Sequence, residues 1–343
     1  MQSVRVAMIG FGNVGQGFVQ ILRDKGEQLA RQFDVQITVV AISDIQKGSL
    51  YNASGLDPTA LLKAIASTGK LDSVSAPHHG WDALRTISDT ASDTILELSY
   101  TDLKTGEPAF THLSHAIKAG KHVVTSNKGP VALHYPELKA LADANHVQIG
   151  IEGTVMSGTP ALHLSSDFLS AAGIVCIQGI VNGTTNYILT QMEAGSSYTA
   201  ALAEAQAAGY AEADPTGDVE GFDAAGKTVI LANLLMGATL SMSDVDRTGI
   251  TQLTPQDIAA AQANGERWKL IAKVECSDGK VSGSVHPTRL STSHPLASVS
   301  GATNAITFTT QLLGDVTLIG PGAGRLETGY ALLTDLLAMH KKI

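Results

Sequence analysis

The feature that most constrains this chain is a glycine pattern directly after its first apolar run. Residues 4–9 read VRVAMI, which predicts a short buried strand, and GFGNVG follows at once at residues 10–15. Such a series between a strand and a helix binds the pyrophosphate of a dinucleotide. Gly10 makes the tight turn, Gly12 lets the backbone approach the phosphates, and Gly15 permits close packing of helix on strand. The helix N-terminus offers unpaired N–H groups to the phosphates.

The acidic residue expected after the second strand is Asp44, which Ser43 precedes. It lies further along than the usual spacing of about 20 residues, so the first helix must be long. Asp44 could hold the ribose hydroxyls of NAD, whereas Lys47 could pair with the 2′-phosphate of NADP. Asp44 could equally well be an ordinary turn residue at the end of a strand, without a role in cofactor binding. The sequence therefore does not decide whether the cofactor is NAD or NADP.

The first half of the chain alternates between strand-like and helix-like segments. Strands are predicted at residues 4–9, 35–42, 94–98, 122–125 and 147–151, and helices at 13–30, 58–66, 108–119 and 136–145. This alternation predicts an α/β fold with a doubly wound parallel sheet of the Rossmann type.

The second half has a different pattern, with several strands close together in sequence. Strands are predicted at residues 174–181, 270–276, 280–286, 305–310 and 316–319, and helices at 185–194, 198–208, 219–236 and 326–339. The pattern indicates an α+β domain with an antiparallel sheet. We expect residues 1–151, with the last helix (323–343) packing back, to form the dinucleotide-binding domain and residues 152–322 the substrate domain.

Composition excludes several classes of protein. Of 343 residues, 44% are apolar and 16% charged, which is typical of a folded globular chain. A net charge of -9 argues against a nucleic-acid-binding surface, and no apolar run reaches the roughly 18 residues of a membrane span. Two cysteines are too few for a disulfide framework, and the N-terminus does not resemble a signal peptide. We therefore expect a cytoplasmic protein.

The most polar segment is residues 209–227, GYAEADPTGDVEGFDAAGK. Its charged residues are Glu212, Asp214, Asp218, Glu220, Asp223 and Lys227. Asp223 and Lys227 share one helix face, and Asp218 can cap the helix that follows. Any one of these charged residues could simply be a solvent-exposed residue at the start of a helix. The helix continues as TVILANLLM, however, and should therefore be largely buried. Burial lowers the pKa of a lysine, which suits proton transfer.

A second lysine, Lys128, follows the strand-like HVVT segment. The carboxyl ends of strands in open α/β sheets bind ligands, although a loop lysine in water also fits this position. Backbone carbonyls of the polar, glycine-rich turns at 152–160, 182–186 and 320–324 could hold a hard cation. His286 and His294 lack metal-ligand spacing and are expected to be structural.

Over nearly its full length the chain resembles homoserine dehydrogenase. The motifs run in family order: GFGNVGQG, GEPA at 106–109, GKHVVTSNKGPVA at 120–132, IVNGTTNYIL at 180–189, EADPTGDVEGFDAAGK at 212–227, RTGI at 247–250, HPLASVSGATNAI at 294–306 and GPGAG at 320–324. The NGTTNYIL and EADP segments are highly specific, whereas the first motif is generic. Two departures are TSNK in place of the commoner TANK and VMSG in place of a glycine-rich loop.

The resemblance implies reversible, NAD(P)-dependent interconversion of L-homoserine and L-aspartate 4-semialdehyde in threonine, methionine and isoleucine biosynthesis. It implies that Lys227 is the catalytic acid/base and Lys128 the second active-site lysine, near the cofactor. The implied substrate-binding residues are Glu212, Asp223, Asp218 and Thr184. The implied cofactor-binding residues are Gly10, Phe11, Gly12, Asn13, Val14, Gly15, Ser43, Asp44, Ser99, Lys128 and Gly322.

The resemblance also implies an ion and a partner. Backbone atoms of Glu152, Val155, Ser157 and Thr159 match a sodium-binding loop, and the family commonly forms homodimers or homotetramers. The chain resembles the short form, without kinase fusion or C-terminal regulatory domain. The alternatives are another NAD(P)-dependent amino- or hydroxy-acid dehydrogenase, against which the GTTN and EADP segments argue, and a non-catalytic dinucleotide sensor. The lysines and Asp223 argue against the sensor.

Overall fold

The structure is a computed structural model that describes residues 1–340. Its strands are β1 (Gln2–Ile9), β2 (Val35–Asp44), β3 (Gly48–Tyr51), β4 (His78–His79), β5 (Thr94–Glu97), β6 (His122–Thr125), β7 (Ile149–Gly150), β8 (Ile174–Ile180), β9 (Val245–Arg247), β10 (Glu266–Ser277), β11 (Lys280–Ser291), β12 (Thr303–Thr310) and β13 (Gly314–Pro321). Its α-helices are α1 (Asn13–Phe33), α2 (Pro58–Thr68), α3 (Ala83–Asp89), α4 (Ala109–Lys118), α5 (Lys128–Ala144), α6 (Ala161–His163), α7 (Gly183–Glu193), α8 (Tyr198–Ala207), α9 (Thr216–Val219), α10 (Phe222–Leu235), α11 (Pro255–Ala263) and α12 (Arg325–His340).

The chain divides into two compact units. The first contains Met1–Gly158 and the chain from Gly324 onward, and the second contains Thr159–Ala323. The division falls after residue 158 rather than after 151, because the intervening segment packs on α12. The Glu152 N–H donates to Asp335 Oδ2 at 3.0 Å, and Ser157 Oγ lies 2.7 Å from Thr328 Oγ1. Residues 341–343 of the predicted last segment lie outside the described residues.

The first unit is built on a seven-stranded sheet in the order β4-β3-β2-β1-β5-β6-β7. Strands β2, β1, β5, β6 and β7 run parallel to one another. Strand β3 pairs antiparallel with β2, and β4 pairs antiparallel with β3. Successive side chains of a strand point to opposite faces. Val6 and Met8 join a core cluster with α1, α2 and α12, whereas Ala7 and Ile9 join one with α3, α4 and α5. Both faces are covered, so the predicted doubly wound sheet is confirmed.

Two glycines let α1 and α12 pack closely within this unit. A methyl group on Gly17 would lie 1.9 Å from the Arg325 carbonyl oxygen, and one on Gly329 would lie 2.5 Å from the Phe18 nitrogen. No side chain fits at such distances, so the contact is backbone on backbone. Helix α12 thereby covers the face of the sheet that α1 also covers.

The second unit contains a six-stranded sheet in the order β13-β12-β8-β10-β11-β9. All its pairings are antiparallel except β9 with β11. One hydrophobic cluster joins Ile180 and Ile271 of the sheet to Leu296 and Val299 of the segment before β12. The predicted α+β character of this half is confirmed.

Two helices differ from the predictions. Helix α5 begins at Lys128 rather than at residue 136, because the Asn127 side chain caps it by accepting from the Gly129 N–H. Pro130 lies in the first turn, where a missing N–H leaves no bond unmade. Lys128 is therefore the first helical residue, not a loop lysine.

The predicted helix over 219–236 is interrupted. Gly221 adopts a left-handed backbone (φ 79°), which ends the short α9 and precedes α10 without a side-chain cap. Asp218 lies inside α9 and does not cap the following helix, so that prediction was wrong. The turn instead leaves the Asp218 carboxylate facing the chain around Asn182.

Candidate active site

The glycine turn has the geometry that its sequence predicts. Gly10 has φ 97°, and a methyl group there would lie 2.4 Å from the Leu98 carbonyl oxygen. Gly12 precedes α1 and has open space where a side chain would stand, which leaves its backbone accessible. At Gly15 a methyl group would come within 2.9 Å of the end of the Met8 side chain in β1 and 3.3 Å of the Gly10 carbonyl oxygen, so helix and strand lie close together there. Asn13 is exposed and Val14 half-buried beside this turn.

Asp44 ties the end of β2 to the glycine turn. Its carboxylate accepts from the backbone N–H groups of Phe11 (2.7 Å), Gln46 (2.9 Å) and Lys47 (2.8 Å). Burial raises the pKa of this carboxyl, but the N–H donors and the Lys47 charge outweigh it and hold the pKa below its ordinary value. Asp44 is thus ionised, and Lys47 Nζ lies 4.0 Å from it.

Two neighbouring predicted residues, Phe11 and Ser43, are both buried. The Phe11 ring is fully buried in the core, so this position offers only its backbone to a ligand. Ser43 is buried, and its hydroxyl donates to the Trp81 carbonyl at 3.1 Å.

Two further predicted residues stand at the carboxyl ends of adjacent parallel strands. Ser99 follows β5, and Lys128 follows β6 after Asn127. Both side chains are partly exposed. Ligands bind at this edge of a doubly wound sheet. The sequence reasoning missed Glu97, His112 and Asn127, which surround Ser99. The only feature of the sequence that could have pointed to these residues is the acidic Glu97 at the end of the apolar TILE strand.

The second unit holds the lysine–carboxylate cluster. Lys227 Nζ donates to Asp223 Oδ2 at 2.7 Å and to the Val181 carbonyl at 2.6 Å. Asn182 Nδ2 donates to Asp218 Oδ1 at 2.7 Å and to Asp223 Oδ2 at 3.0 Å. Asn182 also caps α7 through the Thr185 N–H. The structure thus brings Lys227, Asp223 and Asp218 together around one asparagine, which the sequence reasoning did not single out.

Other predicted substrate residues lie at varying depth near this cluster. Thr184 is buried in the first turn of α7 and donates to the Tyr210 carbonyl at 2.6 Å. Glu212 is exposed after α8, and among residues 1–340 no hydrogen bond to its carboxylate is found. Among the described residues, the Glu212 carboxylate is therefore not hydrogen-bonded to the cluster.

The remaining predictions concern two backbone segments. Gly322 packs against Asn304, because a methyl group there would lie 2.0 Å from Asn304 Nδ2. Glu152, Val155, Ser157 and Thr159 are all buried. Glu152–Thr154 forms a 3₁₀ turn, and Ser157 has a left-handed backbone (φ 54°). Within residues 1–340 there is no cluster of three His, Cys, Asp or Glu side chains that could hold a metal.

A glycine turn at the head of a doubly wound sheet, with an ionised aspartate at the end of β2, is typical of a dinucleotide-dependent dehydrogenase. Residues 10–152 match the homoserine dehydrogenase NAD-binding domain family, and residues 160–337 match the homoserine dehydrogenase family. The chain belongs to the homoserine dehydrogenase family. Its activity is the NAD(P)-dependent interconversion of L-homoserine and L-aspartate 4-semialdehyde.

Named relatives cover the chain almost completely. It is 45% identical to the NAD(+)-dependent homoserine dehydrogenase of Pseudomonas canavaninivorans, over 99% of this chain and 97% of that one. It is 38% identical to the homoserine dehydrogenase of Methanocaldococcus jannaschii, over 98% of each. A hyperthermophilic archaeal homoserine dehydrogenase mutant in complex with NADPH is 31% identical, with TM-score 0.85, over 100% and 99% of the chains. No helix among residues 1–340 is long and apolar enough to cross a membrane.

Proposed function

We propose that Lys227 is the acid/base of the homoserine dehydrogenase reaction and that Asp223 holds it in position. The observation that carries this proposal is the 2.7 Å ion pair between them, one helical turn apart on α10. Lys227 is only 7% exposed. A buried lysine keeps its positive charge where a carboxylate and further acceptors pair with the ammonium. The bond to the Val181 carbonyl fixes the nitrogen at the end of β8.

This arrangement suits proton transfer in both directions. On oxidation, C4 of homoserine loses a hydride while its hydroxyl proton passes to the nitrogen of a lysine in its neutral amine form, which becomes the ammonium. The bound dinucleotide supplies the hydride acceptor. On reduction, the protonated Lys227 donates a hydrogen bond to the aldehyde oxygen and then the proton, while Asp223 orients the ammonium. Lys128, the first residue of α5, is the second lysine that the family resemblance assigns.

The substrate's own charges need partners in the same cluster. Asp218, the Asp223–Lys227 pair and Thr184 present carboxylates, an ammonium and a hydroxyl around Asn182 and the start of α7. Carboxylates suit the ammonium of an amino-acid substrate. We assign Asp218 and Asp223 to this role, with Glu212 as a further carboxylate on the exposed turn after α8.

Lys227→Ala tests the central assignment. A proton-transfer group contributes roughly 10²–10⁴ in rate, so kcat should fall by about that factor while the cofactor Kd stays unchanged. Lys273→Ala is the matched control, because Lys273 pairs with Glu275 at the surface of the same unit. Steady-state kinetics with homoserine and titration with NADH measure the two quantities.

Near wild-type kcat in Lys227→Ala would mean that Lys227 is only a structural partner of Asp223. Adding Lys128→Ala separates shared from independent roles. If the two lysines serve one proton transfer, the double variant loses less than the product of the single losses.

We further propose that NAD is the preferred cofactor. Asp44 is ionised at the end of β2, where a carboxylate accepts from ribose hydroxyls and repels a 2′-phosphate. Lys47 is the nearby cation, and Asp44 already pairs with it. The Pseudomonas relative is named as NAD(+)-dependent, whereas the archaeal structure holds NADPH.

Cofactor choice is measured by comparing kcat/KM for NAD and NADP. The value for NAD should be higher in the wild type, and Lys47→Ala should lower the value for NADP more than that for NAD. Lys63→Ala, on α2 of the same unit, controls for the loss of a surface charge. Equal effects of Lys47→Ala on both cofactors would remove Lys47 from the site.

We also retain the sodium proposal for Glu152, Val155, Ser157 and Thr159. Hard cations prefer oxygen ligands, and buried main-chain carbonyls in a tightly turned segment supply them. The VMSG sequence does not affect a site made of carbonyls. Higher thermal stability in sodium than in potassium chloride at equal ionic strength supports the ion, and equal stability counts against it.

The assembly proposed is a homodimer or homotetramer formed through the second unit. Strand β13 is an edge strand with half-exposed Ile319, and Leu312 and Leu313 are exposed just before it. An open apolar edge favours pairing with another chain. Light scattering at micromolar concentration tests this, and a monomer counts against it.

The free thiols Cys176 and Cys276 support a reducing, cytoplasmic location.

A further inference from the structure

A buried carboxylate lies where β5 and β6 end, directly behind Ser99. Glu97 is the last residue of β5, and its side chain is fully buried. Its Oε1 accepts from the Ser99 backbone N–H at 3.2 Å, from the Ser99 hydroxyl through a short hydrogen bond, and from His112 Nδ1 at 3.2 Å. Its Oε2 accepts from Asn127 Nδ2 at 3.4 Å. No part of the acid/base chemistry assigned to Lys227 uses this carboxylate.

The donors around Glu97 come from three separate elements. Ser99 belongs to the turn after β5, His112 to α4, and Asn127 to the turn that starts α5. The Asn127 amide also donates to the Ser99 and Tyr100 carbonyls, at 3.2 Å and 2.9 Å. Thr125 Oγ1 adds a bond to the Glu97 main-chain carbonyl at 2.8 Å. The carboxylate therefore links the two adjacent strand ends that carry Ser99 and Lys128.

Placing a carboxylate out of water is costly unless several hydrogen bonds compensate for it. An apolar strand end would need no such bonds, so a purely structural role would not require the acid. Two of the three residues that contact the Glu97 side chain, Ser99 and Asn127, are a predicted cofactor contact or immediately precede one. This placement indicates that the carboxylate organises the cofactor-binding edge.

The bond between Ser99 and Glu97 also fixes how Ser99 can interact with a ligand. A hydroxyl has one donor hydrogen and two acceptor lone pairs. Because Glu97 takes the hydrogen, Ser99 can only accept from a ligand. Its partner must then be an N–H or O–H donor, such as the carboxamide N–H₂ or a ribose hydroxyl of a dinucleotide.

We propose that Glu97 is a positioning residue for the dinucleotide, acting through Ser99 by holding its hydroxyl as a hydrogen-bond acceptor and through Asn127 by fixing the start of α5. The proposal rests on the proposed cofactor role of Ser99 and Lys128. Glu97 itself does not touch the cofactor. Its loss should therefore change cofactor affinity and leave the binding of homoserine unaltered.

Glu97→Gln is the direct test, because it keeps the size but places an N–H₂ group against donors. Hydrogen bonds to charged groups are the stronger class, so the Kd for NADH and the cofactor KM should each rise by roughly tenfold or more. The homoserine KM at saturating cofactor should stay at the wild-type value. Asp93→Asn is the control, because Asp93 lies beside the opposite end of β5 and pairs with Arg5 at 2.9 Å. It should leave both cofactor values unchanged.

A double-mutant cycle with Ser99→Ala separates positioning from general destabilisation. If Glu97 acts mainly through Ser99, adding Glu97→Gln to Ser99→Ala raises the cofactor Kd by much less than it does in the wild type. Glu97→Asp keeps the charge but withdraws it by one methylene, and should give an intermediate Kd. This variant carries the test if Glu97→Gln does not fold, with circular dichroism as the check on folding.

An unchanged cofactor Kd in folded Glu97→Gln or Glu97→Asp, or fully additive losses in the cycle, overturns the proposal. A lower melting temperature with normal cofactor binding does the same, because that would be a structural role alone. Wild-type turnover with homoserine is measured first. A wild type without turnover contradicts the proposed function, whereas an active wild type with insensitive Glu97 variants contradicts only this inference.

Discussion

Asp218 lies half-buried beside the Asp223 carboxylate. Burial first, and then the negative charge of Asp223, raise the pKa of Asp218, although the hydrogen bond from Asn182 and the Lys227 charge act in the opposite direction. The folded protein therefore keeps a proton on Asp218 at a pH where the unfolded chain has lost it. As the pH rises from the ordinary aspartate value through the raised one, ionising Asp218 costs the folded state free energy.

Asp218→Asn removes this titration. The free energy of unfolding of the wild type minus that of the variant should fall as the pH rises through this window and level off above it. Urea unfolding at stepped pH measures the difference. Asp244→Asn is a control of opposite sign, because hydrogen bonds from Ser241 lower the pKa of Asp244. A difference that rises with pH for Asp218→Asn would contradict the burial argument.

Single residues could be predicted from sequence where a helix period linked them. Asp223 and Lys227 are four residues apart, and the structure joins them. Asn182 lies 36 residues before Asp218, and Glu97 lies 30 before Asn127, so only the folded sheet brings these pairs together. A strand-end glutamate carries no local signal, because its donors come from other elements.

At the scale of elements, the crossing of α1 and α12 depends on glycine. A methyl group at Gly329 would lie 2.5 Å from the Phe18 nitrogen and 2.7 Å from the Gly17 carbonyl carbon. Backbone atoms cannot move aside as a flexible side chain would. The helices must separate, and overpacking of this kind typically costs about 1–3 kcal/mol.

Gly329→Ala should therefore lower the free energy of unfolding by about that amount. Gly26→Ala is the matched control, because Gly26 lies inside α1 with open space around it. That substitution should stabilise the protein by roughly 0.5–1 kcal/mol through higher helix propensity. Chemical denaturation compares the three proteins, and a Gly329→Ala variant as stable as the wild type would show that the helices are not in contact.

Most strands and helices could be predicted because each is a short apolar run or an amphipathic segment bounded by turns. The predicted helix bounds were wrong where a single residue overrides the hydrophobic pattern. Asn127 caps α5, which begins at Lys128, eight residues before Pro136, and Gly221 separates α9 from α10. Sheet order was not predictable in detail, since pairings such as β8 with β12 join residues far apart in sequence.

For the whole molecule, periodicity predicted an α/β half followed by an α+β half, and the sheets confirm both. The boundary after residue 151 could not be placed more accurately. In the sequence, Glu152 and Ser157 stand at the start of the second half, but they are hydrogen-bonded to residues of α12 that lie 183 and 171 positions later. Such contacts follow from the return of the last helix, which no local pattern specifies.

The most direct test of the account is initial-rate measurement with L-homoserine and NAD or NADP on folded protein. We expect saturable, homoserine-dependent formation of the reduced cofactor, and no comparable rate with L-serine, whose shorter side chain cannot place its hydroxyl carbon at the same position. Absence of turnover above background with either cofactor, from protein that binds NADH and melts cooperatively, would contradict the assignment of this chain as a working homoserine dehydrogenase.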